Sequence, residues 1–375
     1  MSLVEKIADA VLYEGYILYP YRPSAVKNQQ RWNFGALCPE SYSLAQRGTE
    51  NWTMQTECLV QANPLTGLNV KVRFLHLLSR EVSVPSSSLG SEIPTLRSEI
   101  SNSEYQIVPS LEVNGQLFQT WQEAVEREVT VAGIKPGDPD HGLRGLSFWF
   151  PVTETSEELR DKESGELRGV LVRKQQALAG AVEVRIADCG FSAEEIQNSD
   201  TANSQTQIPK ADRLLKLTIR ILNETPLRNA TERSRDEALM RSFVSTHTIL
   251  KLENGEFVSL LDPPEVFRET AATCSNLGTY PVLAGEEGTR DCMLSSPIIL
   301  YDYPQIAPES AGNLYDGTEI DEILTLRIMT LTDEEKREMR GADERARQIL
   351  ERTELLPAEQ LMKMHGAMKG VNRKS

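Results

Sequence analysis

Apolar and polar positions alternate through most of this chain, and only its two ends follow a helical period. At the start, Val4, Ile7, Ala8, Val11 and Leu12 recur at the spacing of one helix face, which predicts a short amphipathic helix. YILYPYR follows, where Pro20 and Pro23 hold the backbone extended. Strand-like segments come next. QTECLVQA (55–62) and LNVKVRFLHLL (68–78) flank NPLTG, SLEV and QLFQTW are joined by Asn114-Gly115, and LSFWFPV covers 146–152. Asn-Gly between apolar runs predicts a hairpin, because both turn positions need positive φ. A second Asn-Gly, Asn254-Gly255 between ILKL and EFVSLL, predicts another. GVLVRKQQALAGAVEVRIADC (169–189) and RLLKLTIRIL (213–222) complete the strand-rich part.

From residue 318 the period becomes helical. Thr332 and Glu335 form a capping-box pair, and Met339, Ala342, Ala346, Ile349, Leu350 and Thr353 line one face of TDEEKREMRGADERARQILERT. Pro357 sits where a first helical turn would start another helix. Hairpins without strand–helix alternation predict an α+β fold. Antiparallel β-sheets are expected in both halves, with a short N-terminal helix and a helical C-terminal region. Residues 83–104 are Ser-rich, and 193–212 are polar and nearly free of apolar residues. The latter reads as a linker between a β-rich N-terminal domain (1–192) and an α+β domain with an acidic helical C-terminus (213–375).

Charge narrows the partners. Forty basic against 55 acidic residues leaves −15, which argues against binding nucleic acid or an anionic membrane surface. Residues 300–360 hold 15 Asp/Glu and 7 Lys/Arg, so −8 of that charge falls there. The five cysteines show no CxxC, which excludes a zinc ribbon or disulfide framework as the expectation. No apolar run approaches a membrane span and the N-terminus lacks a signal pattern, so a cytoplasmic location with no membrane insertion is expected.

Candidate chemistry is sparse. YDGTEIDEI (315–323) packs Asp316, Glu319, Asp321 and Glu322 behind Tyr315. Thr318 with Asp321 resembles a capping box, and carboxylates in a first turn complement the helix dipole. The stretch therefore reads as a helix start, with a partner-facing acidic surface as the functional alternative; neither EF-hand order nor a His partner supports a metal. YPYRPSAVKNQQRWNFG (19–35) interleaves Tyr19, Tyr21 and Trp32 with Arg22, Lys27 and Arg31, and contains no acid. It reads as a strap on the core or as a protein contact. Opposite charges on these two segments predict that they lie together and form one surface. No GxSxG, HExxH, P-loop or GxGxxG is present. A rival reading assembles a hydrolase or transferase site from scattered residues such as His76, His141, Cys189 and the 302–322 carboxylates, while His247, His365 and Cys274 complete the chemically capable set.

VLYEGYILYPYRPSAVKNQQRWNFG (11–35) and SSPIILYDYPQIAPESAGNLYDGTEIDEILTLRIMTLTDEEKREMR (295–340) resemble an uncharacterised bacterial family. That family is associated with gene neighbourhoods of NiFe uptake hydrogenases and their maturation factors. The resemblance implies an accessory or assembly role, with a hydrogenase subunit or maturation factor as the protein partner. It implies no active-site residues, and the lack of paired CxxC motifs sets the chain apart from metal carriers. No cofactor is expected. Since no ligand cluster has workable spacing, purified protein is expected to carry no stoichiometric zinc, nickel or iron; about one metal per chain by elemental analysis after dialysis would overturn this.

Overall fold

The computed structural model describes residues 3–13, 35–86, 104–136, 143–191, 213–305, 325–326, 328–342 and 344–357. The fold is α+β, with about 47% strand against 21% helix, and its sheets are antiparallel. One sheet runs in the order β13 (Glu256–Val258), β1 (Thr53–Ala62), β11 (Arg213–Asn223), β10 (Leu178–Asp188) and β7 (Arg144–Phe150). The other runs β14 (Tyr280–Leu283), β15 (Cys292–Ser296), β12 (Val244–Glu253), β2 (Gly67–Pro85), β9 (Leu167–Gln175) and β8 (Thr153–Arg160). On it, β3 (Tyr105–Val108) and β6 (Trp121–Ile134) pair with the remaining edge of β2. A separate hairpin, β4 (Ser110–Val113) with β5 (Gln116–Gln119), lies beside that sheet.

Period-2 patterning explains the two layers. Val70, Val72 and Phe74 of β2 point into the same core as Cys58 and Val60 of β1 and Leu217 and Ile219 of β11. At one end of this core Phe74 stacks on Phe243, 4.6 Å between ring centroids, with Phe148 and Phe150 beside them. The segment read as one run over 169–189 is divided between the layers. Phe150 pairs with Leu178 and Thr153 with Gln175 in one unbroken register, so a single two-stranded ribbon crosses from sheet to sheet at Pro151.

The two Asn-Gly sites diverge. Asn114 and Gly115 have φ of 54° and 78° and join β4 to β5 as expected. At 254–255 only Asn254 is left-handed (φ 55°), and β12 and β13 belong to different sheets. The expected hairpin is a corner instead. The Asn254 carbonyl accepts from Asn63 Nδ2 at 2.8 Å and Thr66 Oγ1 at 2.6 Å, which binds this corner to the NPLTG turn.

The expected domain division is also corrected. β11 lies between β1 and β10, and β12 pairs with β2, so both layers take strands from either side of the polar segment. The core between the layers takes Val70, Phe74, Val182 and Val184 from the first half together with Leu217, Ile219, Phe243 and Leu250 from the second, so neither half holds it complete. Residues 193–212 themselves lie outside the described residues.

Helix α1 (Leu3–Leu12) buries Val4, Ile7, Ala8, Val11 and Leu12, the face that periodicity predicts. Four of these pack on Ile249, Cys292 and Leu294 of the eight-stranded sheet. Short helix α2 (Glu40–Ala45) precedes β1, and α3 (Arg235–Leu239) and α4 (Arg268–Ala272) occupy connections between strands. Near the C-terminus, Thr332 and Glu335 make the reciprocal cap at 2.7 and 3.3 Å. The expected single long helix is two: α5 (Asp333–Ala342) and α6 (Glu344–Glu354). Arg340 lies 2.7 Å and Lys336 3.4 Å from Glu354. In a straight helix Arg340 and Glu354 would be about 21 Å apart. The pair is therefore folded back into a helical hairpin, and the predicted apolar stripe is buried within it together with Ile328. Among the described residues no helix is long and apolar enough to cross a membrane.

Gly180 on β10 makes room for the aromatic end of the core. A Cβ there would lie 2.6 Å from Phe243 and 2.7 Å from both Phe148 and the Leu222 carbonyl. Gly180→Ala is expected to destabilise by about 1–3 kcal/mol in denaturant unfolding, and an unchanged midpoint would contradict this packing.

Candidate functional site

Tyr19, Tyr21, Arg22, Arg31, Trp32, Tyr315, Asp316, Glu319, Asp321 and Glu322 lie outside the described residues, as do His141 and His365. The expected shared surface of the two straps lies outside them too. The chemically capable residues that are described fall into separate places.

His76 is buried on β2. Its Nε2–H donates to the Gln176 carbonyl at 2.9 Å, which leaves Nδ1 as acceptor for Arg127 Nε at 3.5 Å. Arg127 also donates to Gln175 at 2.9 Å and lies 4.7 Å over the Phe150 ring. Burial, then the Arg127 charge, pushes the His76 pKa down to about 4. His247 is buried opposite Arg73, donates to the Ser245 carbonyl at 3.0 Å, and is likewise pushed down to about 4, mainly by burial. Both imidazoles are neutral structural groups at pH 7.

Cys189 and Cys274 pack beside Phe191 and Phe267. Burial pushes the Cys274 thiol up to about 11 and raises Cys189, the reverse of nucleophile activation. Asp302 accepts the Ser259 hydroxyl and the Leu283 amide, a structural tie. His76 and Cys189 thus belong to different neighbourhoods, and the scattered-residue site is not assembled from them. Among the described residues no group of three or more His, Cys, Asp or Glu is arranged to hold a metal ion.

What the fold does assemble is a groove. The β4–β5 hairpin seats Leu111, Val113 and Phe118 on Val82, Leu159 and Leu171. Gly341 of α5 then rests on that hairpin so closely that a Cβ would lie 2.6 Å from the Leu117 carbonyl. Arg80, buried on β2, ties the parts together by donating to the carbonyls of Gly341 (2.6 Å) and Gln119 (2.9 Å) and to Glu123 (2.8 Å). Glu123 also receives Arg173 at 3.0 Å. Between these elements lies a cavity of about 580 Å³, lined by Arg80, Arg173, Arg340 and Arg347 against Glu123 and Glu157, with apolar Leu117, Phe118 and Leu171. An adjoining hollow of about 470 Å³ adds Lys336 and Arg337 against Asp333 and Glu354. Together these linings carry six cations and four carboxylates, a net +2 on a chain of −15.

Counting charge along the sequence missed this site, because the segment that supplies half of it is acidic overall. A readable signal existed in the spacing of Lys336 and Arg340, four residues apart and so on one helix face. The contributions of Arg80 and Arg173 depend on strand pairing across nearly a hundred residues of chain, with Arg80 facing Arg173 directly.

No protein-family model matches the chain, and no curated protein matches it. Among solved structures, one similarity is to the InvG secretin domain beta-barrel of the Salmonella SPI-1 injectisome. It has 9% identity over 59% of this chain and 69% of that one, with a TM-score of 0.08. A near-atomic cryo-EM structure of the same secretin gives 8% identity over 60% and 73%, with a TM-score of 0.07. Scores this low carry no argument about fold or function.

The buried histidines give a pH dependence with a definite sign. The unfolded chain takes up a proton at each near pH 6.5, whereas the folded chain resists it until about pH 4. Their stabilisation is therefore full above pH 6.5 and is lost as pH falls towards 4. His247→Gln is expected to reduce the slope of unfolding free energy against pH by about 1 kcal/mol per unit between roughly pH 5 and 6.5. An unaltered slope would remove His247 as its source.

Proposed function

We propose that this chain is a protein-binding accessory factor, and that the arginine-lined groove takes an acidic segment of its partner. The observation that supports this is the net +2 groove on a −15 chain, with cations and apolar side chains side by side. Arginine provides planar donors for carboxylates, and Leu117 and Phe118 supply apolar surface for the residues between them. Net negative charge elsewhere discourages anionic partners from settling at random, so attraction is concentrated at one place. The resemblance of 11–35 and 295–340 to proteins of hydrogenase gene neighbourhoods makes a NiFe hydrogenase subunit or maturation factor the first partner to test.

Arg337 and Arg340 are exposed on α5, so reversing them leaves the core intact. Affinity purification from the native host is expected to enrich one specific partner with the unaltered chain. Arg337→Glu/Arg340→Glu is expected to weaken that association by about tenfold or more, and more at low salt than at high. Equal recovery of the partner by a variant that melts normally would move binding away from the groove.

A further inference from the structure

We propose that β7 is a self-association edge. Two copies pair antiparallel through this strand, about a twofold axis at Ser147, and merge their five-stranded sheets into one. β7 ends the strand order of its sheet, and among the described residues no strand pairs with its outer edge. Edges that must stay solitary carry charge, proline or a bulge. β8, which ends the other sheet, is of that kind: TETSEELR holds Glu154, Glu157, Glu158 and Arg160. β7 is the opposite. Residues 145–150, GLSFWF, have neither charge nor proline, and β7 meets β10 without a register shift. Trp149 is 65% exposed and Val152 63%, with Leu143 and Leu146 also exposed.

A second copy fits this edge better than an unrelated strand because β7 is complementary to itself. The midpoint of Arg144–Phe150 is Ser147, so pairing over the full strand places the axis there. Trp149 then lies opposite Gly145 of the second copy, on the same outer face. Above Gly145 the space is open: a Cβ would meet only the Val182 carbonyl, at 3.9 Å. An indole laid across a glycine of the neighbouring strand covers backbone that is otherwise wet. On the inner face Leu146 meets Phe148 of the second copy. The two Arg144 residues fall at opposite ends of the paired segment, about 20 Å apart, so the one charge of β7 does not oppose the pairing. No β7 residue lines the arginine groove, so this association and partner binding are separable.

Sedimentation equilibrium of the full chain over a concentration series tests this. The mass is expected to rise from 42.0 kDa towards twice that value. Trp149→Glu, at an exposed position, is expected to stay at 42.0 kDa while melting like the parent. Should that variant unfold, Ser147→Cys decides instead. Its thiol meets its own copy at the axis, and oxidised glutathione converts the two thiols to one disulfide with release of two reduced glutathiones. A cross-linked dimer absent from the parent chain is expected. A monomer at every concentration, a dimer that survives Trp149→Glu, or failure of Ser147→Cys to cross-link where it decides would overturn the proposal.

Discussion

The pairing of β2 is the constraint on which the rest of the structure depends. At 19 residues this strand is longer than any single partner, so it needs β12 and β9 along one edge and β6 and β3 along the other. Those partners come from both sides of the polar segment at 193–212. Each unpaired backbone group on a buried strand would be costly, and the apolar face over Val70, Val72 and Phe74 needs a covering layer. Both requirements draw distant parts of the chain into one sandwich. The division into independent halves fails for this reason alone.

The cations of β2 then determine what docks on it. Arg73 pairs with Asp9 at 2.6 Å and Glu126 at 3.1 Å, and Lys71 approaches Glu5 and Glu128, which fixes α1 along the strand. Farther along, Arg80 does the same for the helical hairpin through the Gly341 carbonyl. A buried guanidinium contributes little net stability, but removing one of its partners leaves a desolvated charge, so it selects one docked position over others. The groove beside it is preformed to that extent, and a ligand entering it meets arginines already held by Glu123 and Glu354.

The two proposed surfaces obey different physics. Attraction in the groove is electrostatic and weakens with salt, while an edge joined through β7 depends on backbone hydrogen bonds and apolar cover. Net −15 opposes the approach of two copies at long range. Salt should therefore loosen the first association and favour the second.

While β3, β6, β8, β14 and β15 escaped it, periodicity by itself determined β1, much of β2, β7 and β11, α1 with its five buried residues, the β4–β5 turn and the apolar stripe of 339–353. These are local matters: side-chain direction follows from backbone period, and an Asn-Gly turn needs only its own two φ angles. Tertiary structure decided what no window of sequence contains. Whether Asn254-Gly255 turns a hairpin or a corner depends on donors from Asn63 and Thr66, almost two hundred residues away. The folding of α5 back on α6 depends on burying Met339, Ala342, Ile349 and Leu350 against one another and Ile328. The groove joins Arg80, Arg173 and Arg340 from elements that meet only after the sheets close, and charge counted along the chain cannot report a sum taken across a surface.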